Sequence, residues 1–182
     1  MLLDPVDPTR SFQDTLTFTC QAQGGPNNTF EWTFNGSVLT DANITSTNLQ
    51  STLTISNVSA SNGGEYTCTV SNLAGNASNS STLYVSPYIV TNPDETLTAI
   101  NGTAALELEC VAEAFPSLTY TWTQLTGPLS PTTVVKNSDS GRLAFSPVVL
   151  FEDYGTYVCT ASSNSLEVNS SVSTVYSKSR WF

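Results

Sequence analysis

Four cysteines are the side chains of this sequence whose spacing says most about chemistry: Cys20, Cys68, Cys110 and Cys159. A structural zinc site places cysteines in close pairs such as Cys-x-x-Cys, and no such pair is present. An even number of cysteines favours disulfides over free or catalytic thiols. Four cysteines can pair in three ways. Disulfides persist in oxidising compartments, so the cysteine count predicts an extracellular protein.

The remaining side chains offer little for catalysis. The sequence contains no histidine, which excludes Ser-His-Asp and Cys-His triads, histidine zinc sites and histidine general bases. Neighbouring carboxylates, such as Glu107 and Glu109, are better explained as a solvated strand face. No phosphate-binding glycine loop and no calcium-binding loop pattern is present. We therefore predict that the chain is not an enzyme and has no catalytic residue, metal site or cofactor.

Asparagine side chains suggest a modification. The chain has 15 Asn and 52 Ser plus Thr in 182 residues, so chance alone gives about four Asn-x-Ser/Thr sequons. Eight are present, in predicted loops, turns or outward strand positions: Asn27, Asn35, Asn43, Asn57, Asn76, Asn79, Asn101 and Asn169. Six lie in the first half of the chain, where glycans would shield much of one surface. Asn35 is the weakest candidate because it lies in a tight turn.

The charge of the chain excludes several partners. The net charge is -10, with -5 in residues 1–86 (six acids, one base) and -5 in residues 87–182 (nine acids, four bases). Without a basic patch, binding to nucleic acid or to an anionic membrane is not expected. The longest apolar run, Pro147–Phe151, is far shorter than a membrane span of about 20 residues. The N-terminus lacks signal-peptide features. We expect a fragment whose export signal and membrane anchor lie outside these residues.

The residues around the cysteines repeat along the chain. The two members of each cysteine pair are 48 and 49 positions apart, and a tryptophan follows the first member by 12 positions. A glycine and a tyrosine precede the second member by four and two positions. The repeated residues are Cys20, Trp32, Gly64, Tyr66 and Cys68, then Cys110, Trp122, Gly155, Tyr157 and Cys159. Such a repeat predicts two copies of one structural unit.

Local patterns indicate that strands carry these residues. Apolar and polar residues alternate over 16–20, 30–34 and 106–110, which is typical of half-buried strands and turns each first cysteine inward. Asn35-Gly36 predicts a tight hairpin turn. No segment has sustained helical periodicity. The sequence therefore predicts an all-β fold.

This arrangement resembles the immunoglobulin superfamily. In that family a buried tryptophan packs on an inter-sheet disulfide, and a tyrosine two residues before the second cysteine forms the tyrosine corner. The resemblance implies two tandem immunoglobulin-like β-sandwiches, residues 1–86 and residues 87–182, the second with a C-terminal tail. It further implies the disulfides Cys20–Cys68 and Cys110–Cys159, core tryptophans Trp32 and Trp122, and tyrosine corners at Tyr66 and Tyr157.

The two halves resemble the family to different degrees. In the first, residues 62–68 and 68–75 are similar to the strand F motif and the F–G turn of I-set domains, with Asn62 in place of the usual Asp. In the second, residues 153–159 contain the full strand F motif, but Ser163 and Leu166 depart from the I-set turn. The second domain is therefore expected to be a variant I-set or V-like module. The last strand of the first domain is expected at Thr82–Val85.

The resemblance also implies a function. We expect an extracellular recognition module of a cell-surface adhesion molecule, with the full protein a single-pass membrane protein. Its partner is another protein, either a second copy or a different molecule, and the fragment itself contacts no membrane. One alternative is the ligand-binding ectodomain of a signalling receptor, such as a receptor tyrosine kinase. Another is a secreted matrix protein. The second domain carries fewer sequons, so it or the junction is the expected contact surface.

Overall fold

The computed structural model describes residues 1–23, 25–40, 43–99, 106–126, 140–145 and 153–177. The chain forms two compact units, Met1–Ser86 with Ala114–Pro116 and Pro87–Glu113 with Ser117–Phe182. Within the described residues every regular element is a strand, apart from one three-residue 3-10 helix. This part of the chain has no helix with the length and apolar character of a membrane span. Of the predicted C-terminal tail, Ser177–Phe182, Ser177 ends the last described strand, and residues 178–182 lie outside the described residues.

The described strands of the first unit form two sheets. One has the order β1-β3-β7-β6 and the other β9-β8-β4-β5, with β2 pairing in parallel with β9. The predicted alternation of residues 16–20 is present, since Leu16, Phe18 and Cys20 are buried and the residues between them are not. The strands are β1 (Leu2–Asp4), β2 (Thr9–Arg10), β3 (Leu16–Gln21), β4 (Thr29–Phe34), β5 (Ser37–Val38), β6 (Ile44–Ser46), β7 (Gln50–Ile55), β8 (Gly64–Asn72) and β9 (Gly75–Thr91), with the 3-10 helix Ala60–Asn62 before β8.

The last strand of the first unit is longer than the sequence indicates. It begins at Gly75, not at Thr82, because β8 and β9 are joined by a two-residue turn and pair from Asn72–Gly75 to Gly64–Leu83 without a register shift. Residues 75–80 are exposed on both faces. They therefore lack the apolar alternation that identifies a strand.

The described strands of the second unit also form two sheets. One has the order β10-β17-β15-β13, with β16 also pairing with β15, and the other consists of β11 and β14. β12 pairs with β9, which enters this unit at Pro87. The strands are β10 (Thr96–Ala99), β11 (Leu106–Glu109), β12 (Val111–Phe115), β13 (Thr119–Thr126), β14 (Arg142–Phe145), β15 (Gly155–Ser163), β16 (Leu166–Asn169) and β17 (Ser173–Ser177).

The break between β16 and β17 is held by hydrogen bonds. The Ser170 amide donates to the Cys159 carbonyl at 2.8 Å, and the Cys159 amide donates to Ser170 Oγ at 3.0 Å. The Ser171 amide leaves the strand pairing and donates to Asn92 Oδ1 at 2.7 Å. β17 then pairs in parallel with β10. A side chain from the start of the unit thus satisfies the backbone where the strand is interrupted.

The turn between β15 and β16 explains why the second unit has Leu166 where the first unit has Gly75. Asn164 and Ser165 have φ of +47° and +65°, which is the geometry of a type I′ hairpin turn. In the first unit the corresponding turn has no positive φ at Leu73 or Ala74, and Gly75 follows with φ of +140°. The second turn therefore needs no glycine after it.

Replacing Ser165 by glycine is expected to stabilise the second unit by about 0.5–1 kcal/mol, because glycine adopts positive φ without the steric cost that serine incurs. Urea denaturation of the 182-residue chain, with hydrogen exchange of β15 and β16 amides, measures the change. Ala74→Gly is the matched control and should not stabilise the first unit. Equal gains from both substitutions would contradict the explanation.

Candidate protein-interaction site

Two disulfides hold the frame that presents the surface loops. Cys20–Cys68 joins β3 to β8, which belong to different sheets, and Cys110–Cys159 makes the second bridge. The Cα atoms are 6.4 Å apart in both pairs, and all four cysteines are fully buried. The pairing implied by the family resemblance is therefore confirmed.

Each predicted core tryptophan lies directly opposite the second cysteine of its unit. Trp32 pairs in register with Cys68 and Trp122 with Cys159, and both indoles are buried. Their hydrogen-bond acceptors differ. Trp32 Nε1 donates to Ser51 Oγ at 2.9 Å, whereas Trp122 Nε1 donates to the Gly141 carbonyl at 3.3 Å. A buried indole N–H needs an acceptor, but the sequence does not identify which residue supplies it.

Each predicted corner tyrosine donates to a carbonyl four residues upstream. Tyr66 Oη donates to the Asn62 carbonyl at 2.8 Å and Tyr157 Oη to the Asp153 carbonyl at 2.9 Å. Asn62 stands where the family has Asp, and its Oδ1 still accepts from the Ser59 amide at 2.8 Å. Burial raises the pKa of Tyr66 to about 12. Burial, with a smaller contribution from Asp153, raises the pKa of Tyr157 as well.

Tyr66→Phe is expected to destabilise the first unit by about 1 kcal/mol near neutral pH, because one hydrogen bond is lost. The wild-type advantage should persist below pH 10 and diminish as the pH rises toward 12. The unfolded tyrosine ionises at its ordinary pKa of 10.0, before the folded one does. Denaturation curves of both proteins from pH 8 to pH 12 measure the difference. If the difference in stability between the two proteins grew above pH 10, the expected direction of the pH dependence would be wrong.

An asparagine pair organises one end of the first unit. Asn28 is buried, and its Nδ2 donates to the carbonyls of Gly25, at 3.2 Å, and Asn48, at 2.6 Å. Its Oδ1 accepts from Asn72 Nδ2 at 2.9 Å, and Asn72 Oδ1 accepts from the Ala74 amide at 2.8 Å. The β3–β4 loop, the segment before β7 and the β8–β9 turn are therefore fixed to one another. We call these three segments the loop end.

Gly25 makes the asparagine pair possible. Its φ is +88°, and a Cβ at this position would lie 2.9 Å from Asn72 Nδ2. A side chain here would be strained and would displace the amide of Asn72. Asn72 falls within residues 68–75, the F–G turn that the family resemblance implies, but nothing in the sequence pattern connects it to Asn28.

The loop end presents a fully exposed leucine. Leu73, in the β8–β9 turn, is 99% exposed. Beside the turn lies a shallow groove of about 200 Å³ lined by mostly small or polar residues: Met1, Ala22, Gln23, Asn28, Val70, Asn72, Ala74, Gly75, Asn76 and Ala77. An apolar anchor on a rigid turn loses little conformational entropy on binding. The loop end can therefore act as a contact surface for a protein.

The sequon asparagines that the structure describes are all exposed. In the first unit Asn27 and Asn57 lie in loops, Asn35 in the β4–β5 turn and Asn43 before β6. Asn76 and Asn79 lie on β9, and Asn169 ends β16 in the second unit. Asn101 lies outside the described residues. Exposure makes glycosylation of the seven described sites sterically possible, except where the side-chain Nδ2 itself is packed against the backbone.

Asn35 is the described sequon asparagine whose side-chain Nδ2 lies against the backbone of a neighbouring strand. Its Oδ1 accepts from the Glu65 amide at 3.0 Å, and a Cβ at Gly64 would lie 2.8 Å from its Nδ2. Because Nδ2 carries the glycan, we expect Asn35 to remain unmodified in protein secreted from animal cells, whereas Asn76, which has no such contact, is modified. Glycopeptide mass spectrometry measures both sites. A modified Asn35 would contradict the expectation.

Charged side chains do not form a basic contact surface in the described part of the chain. Arg142 Nη1 lies 3.3 Å from Glu107 Oε1, and its Nη2 lies 3.0 Å from Glu109 Oε1. The three side chains are about half exposed. Lys136, Lys178 and Arg180 lie outside the described residues. Among the residues that are described, no three His, Cys, Asp or Glu side chains are placed to hold one metal ion.

Family models match both halves of the chain. Residues 3–85 match the immunoglobulin I-set domain, and residues 86–163 match an immunoglobulin domain.

Curated relatives resemble the chain over most of its length. Neural cell adhesion molecule L1 of Takifugu rubripes is 34% identical over 81% of the chain. The basement membrane-specific heparan sulfate proteoglycan core protein of Mus musculus is 31% identical over 81%. The chain spans only 12% and 4% of these two proteins. Among solved structures, the N-terminal eight Ig domains of Down Syndrome Cell Adhesion Molecule superpose with a TM-score of 0.58 and 26% identity, over 98% of this chain and 24% of that one.

Proposed function

Because the chain belongs to the immunoglobulin superfamily as two tandem immunoglobulin domains, we propose that it is an extracellular recognition module of a cell-adhesion protein. The observation that carries the proposal is the 34% identity to neural cell adhesion molecule L1 over both domains. The two buried disulfides support an oxidising, extracellular location. The partner is a protein, and the domain boundary lies at Ser86–Pro87.

The sparse sequons of the second domain predicted a contact surface there or at the junction; we propose instead a contact surface at the loop end of the first domain. Its three segments are fixed by Asn28 and Asn72, and Leu73 projects from the turn between β8 and β9. Exposed apolar side chains are common on protein surfaces, so exposure alone would not single out Leu73. The rigid hydrogen-bonded support favours this residue over the others.

Display of the 182-residue chain on cells, through an added membrane anchor, tests the adhesion function. We expect displaying cells to aggregate with one another or to adhere to untransfected cells, and protease treatment of the opposing cells should abolish the adhesion. Displaying cells that do neither would contradict the proposal. Aggregation of displaying cells with one another indicates binding between copies, whereas adhesion to untransfected cells indicates a different partner.

Leu73→Asp tests the position of the contact. If Leu73 is an anchor, its replacement should weaken adhesion by roughly 30-fold, the effect of losing a residue worth about 2 kcal/mol. Val38→Asp is the matched control, since Val38 is 56% exposed and lies on β5, away from the loop end. Equal losses from both substitutions would place the contact elsewhere.

A matrix protein is the second candidate. The 31% identity to the basement membrane proteoglycan core protein favours it. Binding of the soluble chain to decellularised matrix, without adhesion between displaying cells, would support it over the adhesion proposal. A receptor ectodomain is a third hypothesis, which a kinase-like domain in the same gene would support.

A further inference from the structure

One edge of β9 is open in the first domain. Among the described residues, the strand that pairs with β9 on the side away from β8 within this domain is β2, and it covers Tyr84 and Val85. The N-terminal segment extends this cover to Ser81 and Thr82, through Asp7. Residues 76–80 have β8 on one side and no described strand on the other.

The backbone groups of this edge point outward at every second residue. The amides of Thr82 and Tyr84 donate away from β8, to Asp7 Oδ1 and to the Pro8 carbonyl. Amide direction alternates along a strand, and the pairing of β8 with β9 has no register shift. The amides of Asn76, Ser78 and Ser80 therefore point away from β8 too. The Ser80 amide donates to Asn79 Oδ1 at 3.0 Å.

The usual devices that protect an edge strand are missing here. Charged side chains, proline and bulges discourage pairing with another chain, but residues 76–80 read Asn-Ala-Ser-Asn-Ser. Among the described residues, the other strands with an open side in this domain, β1, β2, β5 and β6, have only two or three residues each. The five-residue edge of β9 is thus the one best able to pair with the same edge of a second copy.

Two sequons lie within this edge. Asn76 and Asn79 are three positions apart, so their side chains leave opposite faces of the strand. Both are exposed. A glycan attaches at Nδ2, so Asn79 Oδ1 remains able to accept from the Ser80 amide. Two glycans, one on each face, would block the approach of another strand from either side.

The second domain has a similar arrangement. β16 pairs with β15 on one side, and among the described residues no strand pairs with its other side. Its sequence, Leu-Glu-Val-Asn, contains one charged residue, Glu167, and ends at the sequon Asn169. Fewer glycans are needed to protect the edge of β16, because it is shorter than the edge of β9 and already carries a charge.

We propose that N-glycans on Asn76 and Asn79 close the open edge of β9 and prevent the chain from pairing with a second copy through strand addition. The inference rests on the proposed extracellular location, since glycosylation requires secretion. It is independent of which partner mediates adhesion. The glycans on these two residues then have a structural task that those on Asn27, Asn43 and Asn57 do not share.

The test compares glycosylated variants of the 182-residue chain secreted from animal cells. The edge variant is Asn76→Gln with Asn79→Gln. The control is Asn43→Gln with Thr29→Ala, which removes two sequons of the same domain away from the edge, at Asn43 and Asn27. The second of these is removed at Thr29 because Asn27 has φ of +63°. Glycopeptide mapping establishes occupancy, and sedimentation velocity at rising concentration measures self-association.

We expect the self-association constant of the edge variant to rise by roughly tenfold or more over wild type, with the control unchanged. Adding Ser78→Lys to the edge variant should restore wild-type behaviour, because the charge lies at the centre of the edge. Unoccupied Asn76 and Asn79, an edge variant that associates like wild type, or a control that associates as strongly would each overturn the proposal. Occupancy of Asn57 with Asn76 and Asn79 bare would overturn it while leaving the extracellular location intact.

Discussion

Replacing Cys20 and Cys68 together by alanine is expected to lower the free energy of unfolding of the first domain by about 2–5 kcal/mol. The bridge closes a 48-residue loop and joins the two sheets through β3 and β8. Without it the unfolded chain gains conformational freedom, and two fully buried side chains lose their bond. Urea denaturation measures the loss, and hydrogen exchange of the β3 and β8 amides assigns it to the first domain.

The double substitution Cys110→Ala with Cys159→Ala is the matched comparison. It should produce a loss of similar size in the amides of β13 and β15, since its loop spans 49 residues. Full reduction of the wild-type chain should reproduce both effects together. A denaturation midpoint that does not change in the first double variant would show that sheet packing alone supports the domain.

Trp32→Ala is expected to destabilise the first domain by about 3–5 kcal/mol, the usual cost of truncating a large core side chain. The indole is 1% exposed and lies opposite Cys68. Its ring is 6.3 Å from that of Phe18. Its removal leaves a cavity between the sheets and takes the donor away from Ser51. Hydrogen exchange by mass spectrometry measures the change in the β4 and β8 amides.

Trp32→Phe separates packing from hydrogen bonding. It retains most of the apolar contact but loses the bond to Ser51, so it should cost less than half as much as the alanine substitution. Trp122→Ala should cost as much as Trp32→Ala, but in the second domain. If Trp32→Ala affects both domains equally, or costs less than Trp32→Phe, the described packing is wrong.

Patterns of short range in the sequence predicted the strands and turns well. The alternation of residues 16–20 and 106–110 reflects which face of a strand meets the core, and both segments have buried apolar positions in the structure. Asn35-Gly36 has the φ values of a tight turn, +47° and +82°. These features depend on the chemistry of a few neighbouring residues, which a sequence displays directly.

Contacts between distant residues were not predictable in the same way. The acceptor of Trp32 is Ser51 and that of Trp122 is Gly141, although the two tryptophans occupy equivalent positions. Asn28 and Asn72 are 44 residues apart, and their bond depends on the path of three loops. The start of β9 at Gly75 depends on its pairing with β8, since its own residues are polar on both faces.

The sequence by itself determined that one structural unit occurs twice, because cysteine, glycine, tryptophan and tyrosine recur at the same spacing, and its resemblance to the immunoglobulin superfamily implied two disulfide-bonded sandwiches. It also placed the sequons. Only the tertiary structure decided which of them lie on an open strand edge and which one has its Nδ2 packed against the backbone. It also decided which loops are bound together beneath Leu73. Edges and loop contacts are formed by segments far apart in the chain, and their geometry exists only once the sheets have assembled.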